Sequence, residues 1–232
     1  MATSAHAPDS GASPALIVER ALVPAGTLIQ APLGECRFEL SAGRLRVQVD
    51  DGVSRGELVL RLAYYLCAVE QGAVLIHACA LRRGDVALVA SGKSGDGKST
   101  LSRLGVAAGL ELLTDEVVML FPDGRVCGTP FRSDFVHAGT PGLARARYFL
   151  ALSKQPYEAL EPLAALSAAQ LATSQCFELP EVALPRAEAR RRLLAFLAHV
   201  EPRTLAFRKD PAAGEFVRAA LGDPEMTTVT RL

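Results

Sequence analysis

The strongest chemical signal in the chain is Gly92-Lys93-Ser94-Gly95-Asp96-Gly97-Lys98-Ser99, a glycine, four residues and then Gly-Lys-Ser, followed by Thr100. Residues of these types at this spacing build a cradle for phosphate. The glycines let the backbone curl until consecutive N–H groups converge on an anion. The lysine brings a mobile charge to the terminal phosphates, and the serine hydroxyl offers an oxygen to Mg²⁺. The expected ligand-binding positions are therefore Gly92, Ser94, Gly95, Asp96, Gly97, Lys98, Ser99 and Thr100, with Ser99 also a metal ligand. A second pair, Asp115-Glu116, ends the apolar run Leu110-Glu111-Leu112-Leu113-Thr114 one helix's length after Lys98. A carboxylate at the end of the strand beside such a loop can face the phosphates and their metal, so Asp115 and Glu116 are candidate metal ligands and Asp115 a candidate catalytic group. His77 is a third candidate on weaker grounds. It falls within the apolar run Ala73–Leu81, where a histidine is more often a core residue than a catalyst.

These residues need elements to position them, and the flanks supply a strand before the loop and a helix after it. Val86-Ala87-Leu88-Val89-Ala90 is β-rich and apolar, whereas Leu101, Leu104, Gly105 and Ala108 recur at helical spacing and Gly109 provides a stop. Upstream, residues 73–81 form a strand joined through Arg82-Arg83-Gly84-Asp85 to the strand that enters the loop. Downstream, Val117–Phe121, the Pro122-Asp123-Gly124 turn and Arg125–Cys127 read as a hairpin. The Gly/Pro-punctuated stretch 129–142, with Arg132 and His137, reads as a loop able to cover a site. A strand at Tyr148–Leu152 follows, then a helix opened by a Ser167/Gln170 capping box with Leu166 and Leu171 as its staple. A further helix spans Arg186–Val200 with Leu193, Leu194, Phe196, Leu197 and Val200 inward and Arg190-Arg191-Arg192 solvated. A strand near Thr204–Phe207, the basic pair Arg208-Lys209 and a helix at Gly214–Leu221 complete the pattern.

The N-terminal part differs in character. Residues 1–15, rich in Ala, Ser, Pro and Gly and including His6, read as a tail, and residues 16–55 as a small antiparallel β layer broken by turn residues. Glu57–Glu70 keeps Leu58, Leu62, Tyr65 and Leu66 on one helical face, closed by Gly72. The expected architecture is α/β, with a mixed sheet and flanking helices, as one domain over 16–232: the β layer, a nucleotide-binding core at 73–130 and a lid loop with a C-terminal α/β part at 131–232.

Composition narrows the setting. With 232 residues, half of them hydrophobic, and 25 basic residues against 25 acidic ones, the chain reads as a globular protein with a sizeable core. Its zero formal charge offers no general attraction to nucleic acid or anionic membrane. The five cysteines stand at wide spacings with no Cys-x-x-Cys, which suggests neither a disulfide framework nor a zinc site. Three of them lie in apolar runs and read as buried thiols in a reducing compartment, which makes the cytoplasm the expected location. No signal-like start and no membrane-length apolar run is present.

From Leu75 to Leu120 the chain resembles the HPr serine kinase/phosphorylase family and its shorter relatives, whose core is related to phosphoenolpyruvate carboxykinase. The likeness is carried by His77 in the strand before the loop, by the internal Ser94-Gly95 of the family's Gly-x-Ser-Gly-x-Gly-Lys-Ser pattern, and by Leu113-Thr114-Asp115-Glu116 where the family places paired aspartates. Glu116 replaces the second aspartate, and no counterpart of the family's Glu-x-Arg-Gly-Leu-Gly signature occurs. The resemblance implies a P-loop core of that type and ATP-dependent phosphorylation of a hydroxyl with Mg²⁺. In that scheme Asp115 polarises the acceptor or acts as base, His77 supports it, and Lys98 and Ser99 stabilise the transferred group. The implied acceptor is a serine of a peptide or protein, a precursor peptide among them, or a small hydroxylated metabolite, with a homo-oligomer compatible with the reading. A nucleotide-hydrolysing switch and a non-catalytic nucleotide-binding module are the alternative expectations.

Overall fold

A computed structural model of the chain describes residues 15–19, 36–41, 44–49, 61, 64–65, 68–131, 139–140, 142–177 and 184–222. The expectations for the tail through residue 14, for His6 and for Arg132 and His137 lie outside the described residues. The chain forms two compact units, Met1–Gln71 with Glu178–Pro185, and Gly72–Phe177 with Arg186–Leu232.

In the first unit, strands β1 (Ala15–Glu19), β2 (Cys36–Ser41) and β3 (Arg44–Val49) form an antiparallel sheet with β3 in the centre. In the backbone register Leu45 stands opposite Val18 and Leu40, and Val47 opposite Leu16 and Phe38. Residues 61, 64–65 and 68–70 are helical and Tyr65 is buried, as the spacing of the Glu57–Glu70 segment predicts; Ala68 is buried as well, and Leu58, Leu62 and Leu66 lie outside the described residues.

The second unit holds an eight-stranded mixed sheet and the loop. Strands β4 (Val74–Arg83) and β5 (Val86–Ser91) are antiparallel neighbours, and α1 (Lys98–Ala107) follows the loop. Next come β6 (Glu111–Thr114), β7 (Val117–Leu120), β8 (Arg125–Gly128) and the long β9 (Leu143–Lys154). Strand β10 (Ala159–Pro162), helices α2 (Ala165–Ser174) and α3 (Arg186–Leu197), strand β11 (Glu201–Phe207) and helix α4 (Pro211–Gly222) finish the unit. The spatial order is β10-β11-β9-β5-β4-β7-β8, with β6 beside β7 on β4 and β8 returning to pair with β9. Strands β4, β5, β9, β8 and β7 thus close a ring, while β5, β9 and β11 run parallel.

Helices cover both faces, as an α/β chain requires. Tyr148 and Leu150 join the core that contains Leu101 of α1 and Val217 of α4, whereas Phe149 between them turns to the opposite face and meets Phe196 of α3 edge-on at 6.5 Å. This is the period-two alternation of a strand buried on both sides. Helices α1 and α4 meet backbone to backbone: a Cβ on Gly214 would stand 2.2 Å from the Leu104 carbonyl oxygen.

Three local expectations are corrected. Helix α2 starts at Ala165 with Ala164 at its N-cap and no side-chain cap, and Leu166 is 71% exposed, so the Ser167/Gln170 box and its staple do not form. Ala164 keeps extended backbone angles (φ −59°, ψ 138°) and the helix begins directly after it, two residues before Ser167, so the serine stands inside the first turn and cannot cap it. In α3, Leu194 is 56% exposed, and the helix ends at Leu197; Val200 is buried by the strand-ward turn instead. Strand β9 extends well upstream of Tyr148 because Ala144 and Ala146 are buried between outward arginines. Alanine carries little strand signal, so the alternation is hidden at these positions.

Candidate functional site

The loop leaves β5 at Ser91 and returns into α1 at Lys98. Two positions on the way need backbone angles that a side chain resists: Gly95 has φ 87° and Gly97 φ 113°. Gly97 is the N-cap of α1 and supplies no side-chain cap to the helix's first turn. Lys98 is buried, and its Nζ donates to the carbonyls of Gly92 at 2.7 Å and Lys93 at 3.0 Å. Burial lowers the pKa of its ammonium, against which Cys79, Asp96 and Glu116 pull it back up.

The acid pair lies between β6 and β7, which run as one interrupted strand along β4. Ala80 pairs with Thr114 and His77 with Val117 in the same register, so Asp115 and Glu116 stand opposite Cys79 and Ala78. The Glu116 carbonyl accepts the Ala78 N–H at 3.2 Å, and the buried Thr114 hydroxyl accepts from the N–H groups of Glu116 and Val117. Asp115 is buried, only 1% exposed, within electrostatic reach of the Cys79 thiol.

His77 projects beside Glu116. Its Nδ1 lies 2.9 Å from the Glu116 carbonyl oxygen and 3.8 Å from the Glu116 carboxylate. A carbonyl only accepts, so Nδ1 carries the hydrogen, and in the neutral ring Nε2 keeps its lone pair. The His77 backbone is held on both sides: its carbonyl accepts the Ser91 hydroxyl at 3.1 Å and its N–H donates to Gln175 at 2.8 Å. Where β5 turns off into the loop, residues 175–177 take over the vacated edge of β4, with Phe177 donating to Leu75 and Cys176 bridging to Ile76.

Lys98, Asp115, Glu116 and His77 therefore share one neighbourhood although three separate segments supply them: the start of α1, the junction of β6 and β7, and the interior of β4. Ser99 and Thr100 are half-buried at the start of α1, and Ser94 and Gly95 lie exposed at the rim. Arg208 does not join the site: it forms a two-pronged ion pair with Glu158 at 3.0 and 3.4 Å. On α3, Arg191 and Arg192 pair with Glu188, and Arg192 also donates to the Ala73 carbonyl.

Four contributors escape a reading of motifs. Ser91 fixes the His77 backbone, and its only signal is a hydroxyl at the end of an apolar strand. Cys79 and Ser102 are both wholly buried beneath Lys98, and burial pushes the Cys79 thiol up to about 11. The ring of Phe207, at the end of β11, lies against Gly97, where a Cβ would come within 2.9 Å of its Cζ.

Among the described residues no cluster of three or more His, Cys, Asp or Glu side chains is arranged to hold a metal ion, and no helix is long and apolar enough to cross a membrane. The donors at hand, one hydroxyl and two adjacent carboxylates, suit a cation that draws its remaining ligands from phosphate and water. No family model matches the chain, and no curated protein matches it.

Proposed function

We propose that the chain is an ATP-dependent phosphotransferase of the HPr-kinase-like P-loop type that moves the γ-phosphoryl group to a hydroxyl of a peptide, a protein or a small metabolite. The observation that carries this reading is the convergence of the curled glycine loop and Lys98 on the Asp115-Glu116 step and His77. Phosphoryl transfer asks a protein for alignment and charge neutralisation more than for covalent chemistry, and these residues are of the kinds that supply both.

In this mechanism the loop amides and the first turn of α1 hold the polyphosphate. Lys98 exchanges its bonds to the Gly92 and Lys93 carbonyls for phosphate oxygens. The acceptor hydroxyl attacks the γ-phosphorus as the bond to the bridging oxygen breaks, and its proton passes to Asp115. His77, fixed through Nδ1 and through its backbone, lines the acceptor side. Ser99, Asp115 and Glu116 are the residues that would hold Mg²⁺, which when bound with the nucleotide supplies positive charge at the phosphate oxygens.

Incubation of the full chain with γ-labelled ATP, Mg²⁺ and panels of serine-containing peptides and hydroxylated small molecules tests the reading. Label should move to an acceptor; release of free phosphate alone would assign a hydrolysing switch, and neither outcome a binding module. Lys98→Ala should abolish turnover, and Asp115→Asn should remove transfer while retaining ATP binding. Normal transfer by Asp115→Asn would sink the assignment of the base.

A further inference from the structure

The fifth residue of the loop, counted above among the expected ligand-binding positions, carries a carboxylate to which the transfer step assigns no role. Asp96 Oδ2 accepts the Lys93 N–H at 2.6 Å, and the Asp96 N–H donates to the Lys93 carbonyl at 3.2 Å. The carboxylate lies over Gly92, and the missing side chain makes the room: a Cβ there would stand 2.7 Å from Oδ2. Asp96 is also close enough to Lys98 to favour its charged form. The carboxylate is thus tied back onto the loop by the Lys93 N–H, at a position that solvent still reaches.

We propose that Asp96 is a specificity-determining residue that makes the loop select polyphosphate already complexed with a divalent cation over the free polyanion. The inference rests on the nucleotide-binding reading above and deepens it. A fixed carboxylate repels each unneutralised phosphate charge seated in the loop, and a nearby divalent cation cancels most of that repulsion. A neutral side chain at this position would leave the loop amides and Lys98 attracting any polyphosphate, with or without metal. Discrimination therefore comes from a repulsive element set beside an attractive one.

Titration calorimetry on the full chain tests this, using inorganic pyrophosphate and ADP, each in Mg²⁺ and in EDTA. Asp96→Asn keeps an oxygen for the Lys93 N–H and removes the charge. It should bind both ligands about tenfold tighter than the parent in EDTA and within about twofold of the parent in Mg²⁺. Asp96→Ser, a second neutral variant, should shift the EDTA-to-Mg²⁺ ratio in the same direction, and unchanged urea midpoints would show that the loop still folds. No tightening in EDTA, or equal tightening in both conditions, would overturn the proposal and leave Asp96 as a brace for the loop. A parent chain that binds neither ligand in Mg²⁺ would instead overturn the nucleotide reading, and the selectivity with it.

Discussion

Gly97→Ala probes the join between the loop and the core. Gly97 sits at φ 113°, and a Cβ there would stand 2.9 Å from Phe207 Cζ and 3.6 Å from Cε1. The backbone angle alone costs an alanine about 1–2 kcal/mol. Phe207 is buried in the core with Leu205 and Val217, so its ring has little room to retreat, and the overlap adds about 1–3 kcal/mol. The sum, roughly 2–5 kcal/mol, is a large part of the ~5–15 kcal/mol that ordinarily separates folded from unfolded chains. Phe207→Leu shortens the side chain that Gly97 meets, and by itself should cost about 1–2 kcal/mol for the space it leaves. Combined, the two substitutions should be less damaging than the sum of the singles by about 1–3 kcal/mol, because the steric term vanishes while the backbone strain persists. Urea unfolding of the parent, both singles and the double, followed by a fluorescence or circular dichroism probe, gives the cycle. Strict additivity would refute the contact between loop and core.

Other outcomes follow from charge and burial. The Cys79 thiol, raised by burial to about 11 from an ordinary 9.0, stays protonated in the fold after the unfolded chain has begun to ionise. Its contribution is complete below pH 9 and is lost as pH rises toward 11, by up to about 3 kcal/mol. Cys79→Ala should flatten that alkaline fall in urea midpoints; an unchanged slope would place its cause elsewhere. Hydrogen bonds first from Arg191 and then from Arg192 hold the Glu188 carboxyl down at about 2, below its ordinary 4.5. That contribution is present above pH 4.5 and fades as the pH falls toward 2, and solvent screening keeps it small. Glu188→Gln should remove it, as read by acid titration of helicity. For His77, the asparagine variant can still donate to the Glu116 carbonyl, so His77→Asn should melt closer to the parent than His77→Ala, with transfer reduced in both. Full transfer by His77→Asn would limit the histidine to positioning Glu116.

Much of the scaffold was legible because its signals are local. Glycines at Gly95, Gly97 and Gly109 announce positive φ, and all three adopt it. The Pro122-Asp123-Gly124 turn and the alternation in β3 likewise follow from backbone preference and period two. Misreadings arose where packing outweighed propensity. Ala144 and Ala146 made a strand without β-branched residues, and Leu166 and Leu194 turned outward although their types suggested burial.

By itself, the sequence determined that a glycine-rich loop would join a strand to a helix, that Lys98 and Ser99 would stand at that helix's start, and that an acid pair would follow one helix later. These are consequences of neighbouring residues and short-range geometry. Only the tertiary structure decided that Glu116, 39 positions from His77, would offer it a carbonyl. The same holds for the seating of Phe207 on Gly97 and for the closure of β8 upon β9. Strand register and ring closure are chosen by the burial of apolar faces contributed by distant segments, and no local stretch carries that information.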